Sequence, residues 1–313
     1  MGSGVGRGFL ALAAIVAVLG APVGAAAKTC GGAVGCACGD SVRGAALLAN
    51  DLTGCAAGLR VKDGSTLDCA GHAIVAADHS GNEGIVVEGV GATVRGCTVS
   101  GFRSGIRLRG GSANLVSGND VLGNWQYGIE LSVATTNNQI VDNLVADSGD
   151  EGIHVGANAD GNVIEGNEIK DSKRENLYLL DADGCTIRDN RISGAGAAAL
   201  YVKHSSKNVF VDNEISDRPV QLRGDAQSNV FVGNDVTGAG FIFQAYNDAK
   251  LGWKGPRGNQ VDDGSVTGVK TCFRFEGAAD NQVSGVRVAG CQVMSQEKDG
   301  GIAAVGNTVD VIR

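Results

Sequence analysis

One short apolar frame returns along this chain at intervals of 20 to 24 residues. It falls at Ile85, Ile106, Ile129, Ile153, Leu177, Leu200, Val220 and Phe241, with looser copies at Phe273 and Ile302. Between markers lie runs such as Asn162-Val163-Ile164-Glu165-Gly166-Asn167-Glu168-Ile169 and Asn176-Leu177-Tyr178-Leu179. Each run alternates apolar and polar residues with a period of two, which is the signature of a short strand with one buried face. Three such strands cannot bury their own faces. Stacked on copies of themselves they share one continuous core, which predicts an all-β chain wound as a single-stranded parallel β-helix. A leucine-rich repeat is of similar length, but its Leu-x-x-Leu-x-Leu frame is missing. About ten coils at roughly 4.8 Å each predict a rod on the order of 45–50 Å long.

Asparagine recurs in register with the strands. One column runs Asn114, Asn138, Asn162, Asn208, Asn229, Asn259, Asn281, and a second runs Asn119, Asn143, Asn167, Asn190, Asn213, Asn234. A carboxamide both donates and accepts, so a stacked column bonds rung to rung and to the corner backbone. Asn also tolerates the left-handed backbone of a sharp corner, and glycine tolerates it better. This accounts for 50 glycines in a chain that is not disordered. The nonapeptide signature of calcium-binding β-helices is absent.

These motifs resemble the bacterial right-handed parallel β-helix repeat proteins. That group includes the periplasmic NosD family and, in the pectate-lyase-like superfamily, polysaccharide lyases and epimerases. The most specific likeness is N-terminal: Cys38-Gly39-Asp40, Asp51-Leu52, Cys55, Thr66-Leu67-Asp68-Cys69-Ala70-Gly71-His72-Ala73-Ile74, then Val94-Arg95-Gly96-Cys97. The resemblance implies a right-handed coil. For function it implies only a choice, since this rod carries lyases, hydrolases, epimerases and non-catalytic surface proteins. The NosD likeness raises copper, but the sequence has no His or Met cluster and only two methionines, so neither metal nor cofactor is expected.

Residues 1–27 read as a secretory signal, with Arg7 before the apolar run Phe9–Leu19 and small residues at Ala25-Ala26-Ala27. That run is too short to span a bilayer, and Ala27-Lys28-Thr29-Cys30 does not look like a lipoprotein cleavage site. The expectation is a secreted or periplasmic, monomeric protein without a transmembrane segment. A formal net charge of −8 with no basic cluster argues against nucleic acid as a partner. Nine cysteines in an exported chain point to disulfides. The positions suggest pairs 30–36, 38–55, 69–97 and 272–291, leaving Cys185 buried and reduced in the first Asn column. Residues 28–60 read as a disulfide-rich N-terminal cap with the first coil, and 61–313 as the β-helix. The segment 289–313 reads as an irregular last coil.

Strand alternation predicts which residues point outward on the sheet that carries the markers. The position after the marker gives Arg107, Glu130, His154, Tyr178, Tyr201 and Gln221, and two further on lie Lys203 and Arg223. The corner before the marker adds Asp150, Glu151, Arg174 and Glu175. This set suits a saccharide. Tyrosine rings stack on sugars. Glu130, Tyr201 and Arg223 are candidate substrate-binding residues, with Trp253 from the long insertion after Phe241 at one end. His154 as base, Tyr178 as acid and Lys203 beside a uronate carboxylate are candidate catalytic residues for proton abstraction. Glu151 and Glu175 stand in one column, where a retaining-glycosidase separation of about 5–5.5 Å is attainable. The reading is therefore a protein that binds or modifies a polysaccharide, with catalysis left open. The alternative is a structural or surface β-helix whose polar face is simply solvated.

Overall fold

The computed structural model describes residues 28–78, 82–249 and 252–313. The proposed signal segment lies outside the described residues. Each coil contributes two three-residue strands joined at an Asn corner and then a third strand after a longer corner. In one coil these are Val163–Glu165, Glu168–Lys170 and Leu177–Leu180. Third strands stack in parallel into a sheet of thirteen, from Thr29–Cys30 to Gln292–Glu297. The other two kinds of strand form a sheet of twenty-two that bends at the Asn corner. Thirteen stacked strands make about twelve turns and a rod of about 55–60 Å, slightly longer than the repeat count alone predicts.

The register carries the marker residues into one column: Ile106 pairs with Ile129, Ile129 with Ile153, Ile153 with Leu177 and Leu177 with Leu200. All are fully buried. Towards the C-terminal end the core turns aromatic, with Phe210 stacked on Phe231 at 4.3 Å and Phe243 on Phe275 at 4.8 Å. The glycine before several markers has a packing cause. A Cβ at Gly152 would lie 2.5 Å from the Asn176 carbonyl oxygen of the next coil.

The Asn columns are buried ladders. Asn143 Nδ2 donates to Asn167 Oδ1 at 3.0 Å, and Asn167 Nδ2 to Asn190 Oδ1 at 3.0 Å. Each Oδ1 also accepts the backbone N–H of the preceding rung, as in Asn143 N to Asn167 Oδ1 at 2.9 Å. The rung residues of the second column are not themselves left-handed. The positive φ falls on the residue before each rung: Asp142, Gly166, Asp189, Asp212 and Gly233. The rung needs ordinary backbone to aim its amide along the rod, so the strained step moves one residue upstream.

Four disulfides join Cys30 to Cys36, Cys38 to Cys55, Cys69 to Cys97 and Cys272 to Cys291, with Cα separations of 5.0, 5.3, 4.8 and 5.7 Å. Cys185 is a buried free thiol within the first Asn column, and its N–H donates to Asn208 Oδ1 at 2.7 Å. Burial pushes that thiol up to about 11. The last coil keeps both sheets but is irregular as its sequence reads, since its final strand pairs with a register shift between Ser284 and Val286. Gln292–Glu297 and Thr308–Ile312 complete the two sheets, and Asn307 adds a final rung to the first ladder.

Candidate functional site

The outward column of the thirteen-stranded sheet runs in register from Arg107 through Glu130, His154, Tyr178 and Tyr201 to Gln221. Its members are not the exposed side chains that alternation alone predicts. Glu130, Tyr178 and Tyr201 are only 7–8% exposed, because coil spacing presses neighbouring side chains together. Glu130 accepts a hydrogen bond from Ser104 Oγ at 2.7 Å and lies 3.3 Å from Arg107 Nε. Arg103, Arg107 and Arg109 all reach Glu83, while Arg60, Lys62 and Arg109 surround Glu88. This N-terminal half of the face is an ion-pair lattice in which five cations share three carboxylates. Glu130 belongs to that lattice.

The middle of the face is an aromatic ladder. Tyr127 stacks on His154 at 4.8 Å, His154 meets Tyr178 edge-on at 5.4 Å, and Tyr178 stacks on Tyr201 at 5.0 Å. Stacking uses the faces of Tyr178 and Tyr201 on each other. Their edges and hydroxyls, rather than open ring faces, are what remains for a ligand. Tyr201 Oη accepts from Arg223 Nη1 at 3.3 Å. Burial raises both tyrosines, Tyr178 further than Tyr201, where Arg223 opposes the rise.

Beside this ladder lies a buried acidic corner. Glu151 Oε2 is 4.0 Å from His154 Nδ1, and neither atom has a hydrogen-bond partner. Arg174 reaches Asp150 at 3.2 Å, Glu151 at 3.6 Å and Glu175 at 3.5 Å. Glu151 is pushed up to about 8, chiefly by burial and further by the neighbouring Asp150, with Arg174 opposing. Burial also raises Glu175 and lowers His154, so the imidazole is neutral near pH 7. The two groups face each other at 4.0 Å, beyond direct hydrogen-bond reach. The glycosidase pairing expected of Glu151 and Glu175 needs both carboxylates open to a sugar, and here both are buried around Arg174.

Lys203 and Arg223 occupy a different part of the face. Lys203 lies on the Tyr201 strand, two strands beyond His154. Two coil steps are about 10 Å, too far for one sugar's carboxylate to bridge to the proton abstracted beside it. Lys203 Nζ sits 4.2 Å from the Tyr246 ring centroid and Arg223 Cζ 4.8 Å. His204 packs against the same ring at 5.7 Å and accepts a hydrogen bond from Asp225 N–H at 3.1 Å.

Tyr246 belongs to the insertion, which folds into an antiparallel hairpin of Tyr246–Asp248 with Gly252–Lys254. The sequence pointed to Trp253 here. The hairpin pairs Tyr246 with Lys254 and Asn247 with Trp253, so Tyr246 and Trp253 lie on opposite faces. Trp253 packs over Gly300 two coils on, away from Lys203, and it is Tyr246 that meets the cations. Alternation within the insertion carried this signal. Tyr127 was less legible, because it opens the strand Tyr127–Leu131 two residues before Ile129, where strict alternation would turn it inward, yet its ring stacks on His154.

Residues 37–174 match a family described as "Right handed beta helix region", and residues 133–268 match NosD, described as a periplasmic copper-binding protein. Among the described residues no three His, Cys, Asp or Glu side chains converge as a metal site. His154 is held between two tyrosines, and Cys185 lies within the ladder. The described residues therefore do not fit a copper centre. No curated protein sequence matches the chain significantly. Among solved structures, an alginate lyase from Paenibacillus sp. strain FPU-7 aligns at TM-score 0.55 and 15% identity, over 91% of this chain and 99% of the lyase. The periplasmic alginate epimerase AlgG, as a point mutant, aligns at 0.57 and 14%, over 87% of this chain and 68% of the epimerase. The catalytic domain of an α-1,3-glucanase in complex with nigerose aligns at 0.59 and 11%, over 91% of this chain and 62% of the glucanase chain. At such identities the likeness is one of fold. Repeat, register and family matches agree: the chain is a right-handed parallel β-helix repeat protein.

Proposed function

We propose that this protein binds an acidic polysaccharide along the outer face of the thirteen-stranded sheet. The observation that carries the reading is the continuous track from His154 through Tyr178 and Tyr201 to Lys203 and Arg223. It offers tyrosine edges and hydroxyls, then two cations pinned over Tyr246. A rigid sheet spaces these groups in steps of about 4.8 Å, which suits a repeating ligand better than loops would. The alginate lyase, alginate epimerase and glucanase with this fold support a polysaccharide as the ligand class. Four disulfides and the match to a periplasmic family support a location outside the cytoplasm. The test is a polysaccharide array followed by titration of Arg223→Gln and Tyr201→Phe. Loss of acidic-glycan binding in Arg223→Gln is expected. Binding that ignores both changes refutes the track and leaves a structural β-helix.

A second reading adds catalysis, and the unpartnered Glu151 Oε2 and His154 Nδ1 favour it. In that reading His154 takes a proton from the sugar, while Tyr178 and Glu151 hold protons for the leaving side. Arg174 is the cation nearest that centre, not Lys203. Product analysis with His154→Ala decides it. Turnover that survives this change excludes His154 as the base, and turnover lost with binding kept supports it.

A further inference from the structure

The corner that precedes each strand of the thirteen-stranded sheet changes length partway along the rod. Six residues separate Ala146 from Ile153, Lys170 from Leu177 and Ser193 from Leu200. Only three separate Ser216 from Val220 and Thr237 from Phe241, before five intervene between Thr267 and Phe273. The wall built by long corners therefore stops after Ala199, and the short corners leave a step. A depression of about 350 Å³ opens there, with Pro219, Ile242 and Val269 among its apolar lining and Arg218, Lys270 and Arg274 as its cations.

Its charge is unbalanced in one direction. Asp217 also lines it, but its Oδ2 already accepts from Gly194 N–H at 3.3 Å and Ser216 Oγ at 2.9 Å. Arg218 Nε donates back across the step to the Ala195 carbonyl at 3.0 Å, which anchors the guanidinium at the edge. Arg274 is ion-paired with Glu276, its Nε 2.6 Å from Oε1 but out of line for a hydrogen bond, so part of its charge is already offset. Lys270 forms no ion pair among the described residues. Ile242 stands two strands from Tyr201, through Gln221, so the depression continues the same outward column about 10 Å further on.

We infer that this depression is a separate subsite for an acidic sugar of an extended chain, an inference that rests on the polysaccharide reading of the face. Apolar lining receives the sugar ring, and the three cations receive its carboxylate or sulfate. Gln221 and Gln244, hydrogen-bonded to each other at 3.0 Å, lie between the two regions and keep the path polar. Occupancy of both regions needs a ligand long enough to span the steps, so affinity rises with chain length.

The test titrates the full chain with dimers and hexamers of mannuronate, guluronate and galacturonate, at low and high salt. The variant carries Arg218→Gln, Lys270→Gln and Arg274→Gln together. Hexamer affinity is expected to fall at least about tenfold, or about 1.4 kcal/mol, with dimer affinity unchanged and a flatter salt dependence. Should that variant not fold, Lys270→Gln alone, on an exposed side chain, shows the same selective loss several-fold. Equal hexamer binding by variant and wild type overturns the subsite, while an Arg223→Gln loss in the same assay leaves the track standing. Equal loss for dimer and hexamer also overturns it, since that means one site. Wild-type protein that binds none of the oligomers overturns both readings.

Discussion

Asn167→Ala removes one rung from the middle of the second ladder, and the structure says which bonds go. Asn167 Oδ1 accepts from Asn143 N at 2.9 Å and Asn143 Nδ2 at 3.0 Å. Asn167 Nδ2 donates to Ile140 O at 2.8 Å, Glu165 O at 3.0 Å and Asn190 Oδ1 at 3.0 Å. Not all of these losses count equally. Asn143 Nδ2 keeps Val116 O and Val141 O, and Asn190 Oδ1 keeps the Asn167 N–H. The Asn143 N–H is left without an acceptor in a buried setting, which costs about 1–3 kcal/mol, and losing the Ile140 bond adds about 0.5–1.5. The expected loss is about 2–4 kcal/mol, read as a lower denaturant midpoint at unchanged slope. Asn167→Asp is the control. It keeps an acceptor for Asn143 N–H but buries a carboxyl, so its deficit is smaller at acid pH and grows as the carboxyl ionises. An alanine variant with the wild-type midpoint refutes the reasoning, because the rung would then be solvated rather than buried.

Three further outcomes follow from the site and the thiols. Glu151 binds a proton more tightly folded than unfolded, so its contribution to stability is full below about 4.5 and is lost as pH rises through about 8. Glu151→Gln should remove that part of the slope in pH-dependent unfolding, and an unchanged slope rules out a raised Glu151. Tyr246→Ala takes away the ring under Lys203 and Arg223 and should weaken acidic-glycan binding by about 0.5–2 kcal/mol, while Trp253→Ala leaves it unchanged. Equal effects of the two would place both on the ligand side. Mass mapping of the oxidised protein should recover the four disulfides, with Cys185 alkylated only after denaturation. Fast labelling of Cys185 in the native protein would contradict its place in the ladder.

Much of this protein is local in origin and hence readable from its sequence. A repeat with a period-two pattern leaves one way to bury every strand face, so Ile129, Ile153 and Leu177 had to stack. Ladder positions and the 69–97 and 272–291 disulfides follow from the same register, since near-equivalent residues of successive coils come within bonding distance. Chemistry on the outer face depends on something else. Alternation says that His154 and Tyr178 point outward, but not that coil spacing turns Tyr178 against Tyr201 and closes their faces. It does not say that Arg174 gathers three carboxylates, or that burial protonates Glu151. Nor does it say that a hairpin sends Tyr246 to the cations and Trp253 the other way. Those outcomes depend on side chains from different coils competing for the same space and the same water. That competition exists only once the rod is wound.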